Sequence, residues 1–218
     1  ARTRIATAPA AIAAGMERIR RDLRPGSHPT CGVVRVVAKV AASTRSGIWI
    51  GASLVSHAAI RWSIDAGEVV LAQRFIAAMW RFWQQTGRLV DGQEFADALF
   101  RMPGGDAPTR ERMLAASAAG GIAYWHGRPE DSGAYYREEL RIAQLIGDVA
   151  GEADATWHLG FDRYISSDLP GVREMAERSQ ALYEQVGDEL GAARVKWSLI
   201  TVVPGDHPNP KARGALVA

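Results

Sequence analysis

The chain has 218 residues, a mass of 23.6 kDa and a formal net charge of +2 at pH 7. Hydrophobic residues make up 47% and charged residues 23%, which excludes wholesale disorder and leaves enough apolar material for a core. The single cysteine, Cys31, excludes an internal disulfide framework and a zinc site built from cysteines. No apolar run is long enough for a membrane span, so we expect no membrane partner.

Residues 1–55 form a basic segment. They hold nine lysines and arginines against two acids, a net charge of +7, whereas residues 56–218 carry −5. We predict a poorly ordered leader for residues 1–55, and the charge leaves open a contact with nucleic acid or an anionic surface. Because the chain begins at Ala1 rather than at a methionine, we expect a fragment of a longer protein.

Residues 56–203 show helical periodicity throughout. Apolar residues recur three or four positions apart, and glycine or proline stands at regular stops. The short connections predict that successive helices are antiparallel neighbours. Three prolines follow, so we predict a flexible tail over 204–218. The predicted helices cover approximately 56–66, 68–86, 91–101, 108–126, 130–146, 149–165, 169–186 and 189–203.

The helical part repeats itself every 40 residues. Each unit reads as one helix, a turn at Gly87, Gly127 or Ser167, a second helix and a closing turn. A helix pair of this length has too little core to stand alone, so stacking on the next pair must supply the burial. The pairs that define the register are Gly87 and Gly127, Gly120 and Gly160, Gly147-Asp148 and Gly187-Asp188, Trp157 and Trp197, and Leu159 and Leu199.

The closing turns have a clear predicted chemistry. Gly147 and Gly187 stand where a helix C-terminus needs a residue that tolerates positive φ. Asp148 and Asp188 follow at the start of the next helix, where a carboxylate can cap unpaired backbone amides.

Glycines inside the helices indicate close helix contacts. Gly120 and Gly160 share one repeat position, so we predict that a neighbouring helix approaches the backbone there. Leucine at either position should overpack the contact and destabilise the fold by about 1–3 kcal/mol. Gly133 lies outside this pattern, and Gly133→Ala is expected to be mild.

Two groups of motifs carry a resemblance. The first resembles a bacterial tetratricopeptide unit of about 40 residues: Leu159-Gly160, Ser167-Asp168-Leu169, Ala181-Leu182 and Val186-Gly187-Asp188. The second resembles the start of the repeat region in large actinobacterial ATP-dependent regulators, namely LuxR-type and SARP-type transcription regulators and related class III adenylate cyclases. It consists of residues 58–62, residues 79–83 and Gly87-Arg88. The chain departs from the repeat pattern at Ser167, Pro129, Leu169 and Ala119.

This resemblance implies an all-α fold, a right-handed superhelix of antiparallel helix pairs (a tetratricopeptide-like α-solenoid). It implies a non-catalytic scaffold in a bacterial, cytoplasmic regulator of signalling or transcription. Its partners would be a protein or peptide, or a small effector, together with nucleotide-binding and winged-helix domains elsewhere in the parent protein. The alternative parent is a class III adenylate cyclase-type regulator whose catalytic domain lies outside this chain.

The sequence offers no catalytic motif. It contains no phosphate-binding loop with its lysine, no nucleophile elbow and no metal-ligand spacing among its five histidines. We therefore predict no catalytic residue, no cofactor and no metal site, and interpret Glu138 and Glu139 as a solvated helix face. Two alternatives stay open. One is an enzyme site assembled across helices, and the other is nucleic-acid binding by the basic leader, which the −5 charge of residues 56–218 opposes.

Aromatic residues on the first helix of each unit are the candidate binding groups. Tryptophan and tyrosine on a concave helical surface are typical of binding hot spots. The competing interpretation is that these rings form the core, and for Trp157 and Trp197, which share a repeat position, we favour the core. The candidates for the concave face are Trp80, Trp83, Tyr124, Trp125 and Tyr164.

Overall fold

The computed structural model describes residues 48–202, and describes side chains for residues 56–198. This part of the chain is all-helical and contains no strand, which confirms the all-α prediction. None of its helices is both long and apolar enough to cross a membrane. The eight helices are α1 (Ile48–Asp65), α2 (Val69–Thr86), α3 (Leu89–Phe100), α4 (Arg110–Trp125), α5 (Pro129–Ile146), α6 (Val149–Ile165), α7 (Leu169–Val186) and α8 (Glu189–Val202).

Each predicted helix has a counterpart in the structure. The last four agree with the predicted bounds to within a residue, because glycine turns and aspartate caps mark their ends. The first differs most, since α1 begins at Ile48, inside the segment predicted as a leader. The rest of that segment and the tail predicted over 204–218 lie outside the described residues.

The turns between helices repeat one backbone conformation. Residues at 67, 87, 127, 147, 167 and 187 all have positive φ, between 59° and 79°, and stand 20 or 40 positions apart. At Gly187 the amide bonds to the carbonyl of Glu184 and the next amide bonds to that of Tyr183, which is the Schellman arrangement. The predicted glycine caps at Gly147 and Gly187 are confirmed.

Aspartates begin three consecutive helices of the second half. Each carboxylate accepts a hydrogen bond from the amide three residues later, at 2.9 Å for Asp148, 3.0 Å for Asp168 and 2.9 Å for Asp188. This satisfies one of the unpaired amides of a helix N-terminus. The predicted capping role of Asp148 and Asp188 is confirmed, and Asp168 extends it to every twentieth residue.

The chain divides into two compact units, with the boundary between Arg128 and Pro129. In the described part of the first unit, α2 packs against α1, α3 and α4. Its core is built from large side chains that are almost completely withdrawn from solvent. These are Ile60, Phe75, Ile76, Trp83 and Ile122.

The second unit uses smaller core residues. Helix α6 packs against α5 and α7, and α7 packs against α8. Alanines at Ala153, Ala176 and Ala192 are buried around Tyr183 and Val195, so the helices approach closely. This close packing is what positions the aromatic face of α6.

The connection between α3 and α4 departs from the two- and three-residue turns elsewhere. Residues 101–109 form a longer loop that side chains from two helices hold in place. Gln73 Nε2 donates to the Gly105 carbonyl at 3.4 Å, and Arg112 donates to the same oxygen. The repeat is therefore least regular at this loop.

The glycines inside helices make contacts that differ from the prediction. Gly160 is buried beside α7, but an added Cβ would lie 3.7 Å from Met175 Cβ, which is an ordinary contact. Gly120 is also buried, and its neighbour Gly121 makes the tight approach, with 3.0 Å between an added Cβ and the Trp80 ring.

Gly133 makes a contact that the sequence did not predict. A Cβ on this residue would collide with the carboxylate of Asp162 and would lie 3.0 Å from Arg137 Nη1. Asp162 of α6 therefore occupies the space beside Gly133 of α5, and the 40-residue pattern does not reveal this contact.

Candidate functional site

The predicted binding aromatics fall into two different environments in the first unit. Trp83 is fully buried and stacks on Phe95, with ring centroids 6.0 Å apart. Its Nε1 donates to His57 Nε2 at 3.2 Å, and an added Cβ on Gly92 would lie 2.9 Å from its ring. Trp83 is therefore a core residue, and its placement on a binding face is wrong because glycine at 92 lets α3 close over the ring.

Trp80 is half-buried and faces α4. The Arg81 guanidinium lies 3.7 Å from the centroid of its ring, and Gly121 supports the ring from α4. A cation over a tryptophan face contributes about 0.5–1 kcal/mol at an exposed site. The outer part of Trp80 is thus covered by a side chain of the same helix.

Tyr124 and Trp125 end α4 and form an edge-to-face pair, with ring centroids 5.7 Å apart. Trp125 is 57% exposed. Forty residues later Tyr164 and Ile165, exposed by 47% and 48%, occupy the same positions at the end of α6. Two successive 40-residue repeats therefore both carry an apolar pair at the end of their first helix.

The second unit carries an open apolar groove. One face of α6 presents Trp157, Gly160, Phe161 and Tyr164, at the spacing of successive helical turns. The space amounts to about 340 Å³, including the part open to solvent. The opposite walls are Val172 and Ala176 of α7 and Ser198 of α8.

The aromatic wall of this groove is ordered by contacts within the unit. Trp157 and Phe161 pack edge to face, with centroids 4.9 Å apart. The Arg194 guanidinium lies 4.6 Å from the Trp157 centroid, and Ser198 Oγ donates to the Arg194 carbonyl at 3.0 Å. Among the seven lining residues only Tyr164 is ionisable.

A polar cluster beside the groove joins α6, α7 and α8. The Tyr183 hydroxyl donates to Asp154 Oδ1 at 2.5 Å, and Arg194 Nη2 donates to the same oxygen at 2.6 Å. Burial, followed by the negative charge of Asp154, raises the pKa of Tyr183 far above its usual value, so the hydroxyl keeps its proton. The cluster holds Arg194 in place over Trp157.

The core interpretation of the Trp157 and Trp197 pair holds only for the first member. Trp157 is half-buried under Arg194, but Trp197 is 66% exposed. Trp157 is covered by Arg194 and Ser198 of α8.

A buried polar contact joins α5 and α6. Glu139 is 2% exposed and its Oε2 lies 3.1 Å from His158 Nδ1, and the Tyr136 ring stacks on His158 at 4.8 Å. The expectation that Glu139 belongs to a solvated face is wrong, because its side chain points between the helices. Glu138 does pair on the surface, with Arg141 at 2.7 Å.

The structure brings only Tyr164, of the five predicted binding aromatics, into the groove. Phe161, Val172, Ala176 and Ser198 were missed as groove residues. The spacing of Trp157, Phe161 and Tyr164 is the signal that could have found the aromatic wall. Across residues 56–198, no cluster of three or more His, Cys, Asp or Glu side chains is suited to hold a metal ion.

Comparison with known proteins supports the fold and goes no further. No protein-family model and no curated protein matches the chain. Among solved structures, the chain is similar to the crystal structure of BtubC (BKLC) from P. vanneervenii, with a TM-score of 0.55 and 17% sequence identity. The alignment covers 95% of each chain. At this identity the likeness concerns the fold alone.

Proposed function

We propose that this chain is a non-catalytic interaction scaffold that binds a peptide or protein segment in the groove of its second unit. The observation that carries the proposal is the groove itself, with three aromatic rings on one face of α6 and apolar side chains of α7 opposite. Such a surface can bury an inserted apolar side chain, and aromatic residues contribute strongly to binding. A lining with a single ionisable side chain favours binding over acid–base chemistry.

The repeated turns support a tetratricopeptide-like solenoid as the architecture of this scaffold. Positive φ recurs at every twentieth or fortieth residue, and aspartate caps recur at Asp148, Asp168 and Asp188. Equal turns between helices of similar length generate a regular stack, and repetition of the same step would give the right-handed superhelix that the resemblance implies.

The parent protein that we propose is a large bacterial regulator of signalling or transcription, located in the cytoplasm. Its nucleotide-binding and winged-helix domains would be the intramolecular partners of this scaffold, and a class III adenylate cyclase-type parent is the alternative. These proposals rest on the sequence motifs at residues 58–62 and 79–83. A small effector in place of a peptide is the alternative ligand of this scaffold.

A selection experiment tests the proposed function. A library of random peptides is panned against the full chain and, in parallel, against a Tyr164→Ala variant. Tyr164 is 47% exposed, so the substitution should leave the fold intact, which circular dichroism checks. We expect a related set of peptides to be enriched on the wild-type chain and depleted on the variant. Enrichment of the same peptides on both proteins would contradict binding in the groove.

A further inference from the structure

We infer that the groove of the second unit selects partners with net positive charge that carry a large apolar anchor side chain. This inference rests on the proposed function and specifies the chemistry of its partner. It joins two independent observations, the apolar lining of the groove and the charge of the helices that frame it.

The lining requires an apolar anchor. The surface that the lining exposes to the groove is almost entirely carbon, and the Ser198 hydroxyl already donates within its own helix. An inserted polar side chain would lose its hydrogen bonds to water without replacement, at a cost of about 1–3 kcal/mol. A leucine or phenylalanine side chain has no hydrogen bonds to water to lose, and it buries its apolar surface against the rings.

The framing helices supply the charge selection. Residues 148–202, which comprise α6, α7, α8 and their caps, contain ten acidic and five basic residues, a net charge of −5. The basic side chains are largely engaged by these acids: Arg194 with Asp154 at 2.6 Å, Arg178 with Glu152 at 2.9 Å and Lys196 with Glu184 at 3.4 Å. These helices therefore carry an excess of negative charge, which attracts cationic peptide segments and repels acidic ones.

One end of the groove already holds a guanidinium group, that of Arg194. Arg194 rests on the Trp157 face while Asp154 accepts its hydrogen bond. An aromatic ring beside a carboxylate is thus a combination that this surface already uses to hold a cation.

Fluorescence anisotropy with three labelled probe peptides tests the inference on the full chain. The first peptide is lysine-rich with a central leucine, the second replaces its lysines by glutamates, and the third replaces its leucine by serine. We expect the first to bind at least about tenfold more tightly than either of the others. Its affinity should fall by about tenfold when salt screens the charges.

Matched variants connect the binding to the groove. Tyr164→Ala should weaken the lysine–leucine peptide by about fivefold or more. Leu190→Ala, at an 81% exposed position of α8 outside the groove, should leave the affinity unchanged. Equal binding of the glutamate peptide, equal binding of the serine peptide, or no effect of Tyr164→Ala would each overturn the inference. Equal binding of the glutamate peptide together with sensitivity to Tyr164→Ala would overturn the charge preference and leave the proposed function standing.

Discussion

His57 is held in its neutral form by the buried indole of Trp83. The Trp83 Nε1–H is a donor only, so His57 Nε2 must accept, and a proton on that nitrogen would break the bond. Burial, followed by Arg88 and Arg61, lowers the pKa of His57, and Asp91, whose Oδ2 lies 3.9 Å from Nε2, opposes them. The ring also packs edge-on against Phe95 at 5.1 Å.

This arrangement predicts a loss of stability in mild acid. The unfolded chain has an ordinary histidine of pKa 6.5 and takes up the proton first, whereas the folded chain, with its lowered pKa, takes it up later. The stability is therefore fully present above 6.5 and is lost as the pH falls from 6.5 to the folded pKa. We expect His57→Gln to show a smaller loss of unfolding free energy than wild type between about pH 7.5 and pH 5.5.

Urea unfolding at the two pH values measures this difference. The matched control is the same substitution at an exposed histidine, His126→Gln, at the end of α4. If His57→Gln and wild type lose equal stability in acid, the neutral histidine is not the source of the effect.

Gly133 gives a second prediction at the scale of one residue. Its missing side chain leaves room for the Asp162 carboxylate. Oδ1 of this carboxylate is buried without a hydrogen-bond partner in the described part of the chain. Burial raises the pKa of Asp162, although the nearby Arg137 and Arg163 act to lower it. An alanine methyl would displace this carboxylate, so we expect Gly133→Ala to destabilise the fold by about 1–3 kcal/mol.

Gly160→Ala is the comparison for that change. Its added methyl would meet Met175 Cβ at an ordinary 3.7 Å, so the gain in helix propensity, up to about 1 kcal/mol, should make it neutral or stabilising. Thermal melts of both variants decide the point, and equal stability of the two would show that α5 and α6 adapt to the methyl at Gly133.

At the scale of the element, the turn at Ser167 is the exception among the left-handed turns. Ser167 has φ +59° and is the one non-glycine residue with positive φ in the described part. A side chain in this conformation costs about 1–2 kcal/mol of backbone strain, which glycine does not have. Glycine also has more conformational freedom in the unfolded chain, and this offsets part of the gain in stability. We expect Ser167→Gly to raise the unfolding free energy by about 0.5–1 kcal/mol.

The neighbouring serine is the natural control for this turn. Ser166 has φ −80°, and its hydroxyl donates to the Asp162 carbonyl at 2.8 Å. Ser166→Gly should therefore lower the stability in the same denaturant titration. A destabilising Ser167→Gly would mean that the serine side chain stabilises the turn by contacts that outweigh its backbone strain.

The helices were predictable from sequence where local chemistry decides them. The starts of α6, α7 and α8 follow from the aspartate caps, and the ends of α5, α6 and α7 follow from left-handed residues at Gly147, Ser167 and Gly187. The start of α1 at Ile48 was not predicted, because the basic charge of residues 1–55 favoured a leader over a helix. Trp197 shows the other limit, since its exposure depends on which helix covers it rather than on its own repeat position.

At the scale of the whole molecule, charge and burial distinguish the two described units. Residues 48–128 carry a net charge of +1 and completely bury the aromatic rings of Phe75 and Trp83. Residues 129–202 carry −7 and leave aromatic surface open in the groove. Tyr164 was a candidate from its place on the first helix of a repeat and does line the groove, whereas Val172, Ala176 and Ser198 become its neighbours only through the packing of α7 and α8 on α6.

The central claim is that this groove binds a partner, and one measurement tests it most directly. Isothermal titration calorimetry gives the dissociation constant of the most enriched library peptide for wild type, Tyr164→Ala and Leu190→Ala. The account predicts that Tyr164→Ala weakens binding by about tenfold, equivalent to about 1.4 kcal/mol, while Leu190→Ala matches wild type. Equal dissociation constants for all three proteins would contradict it.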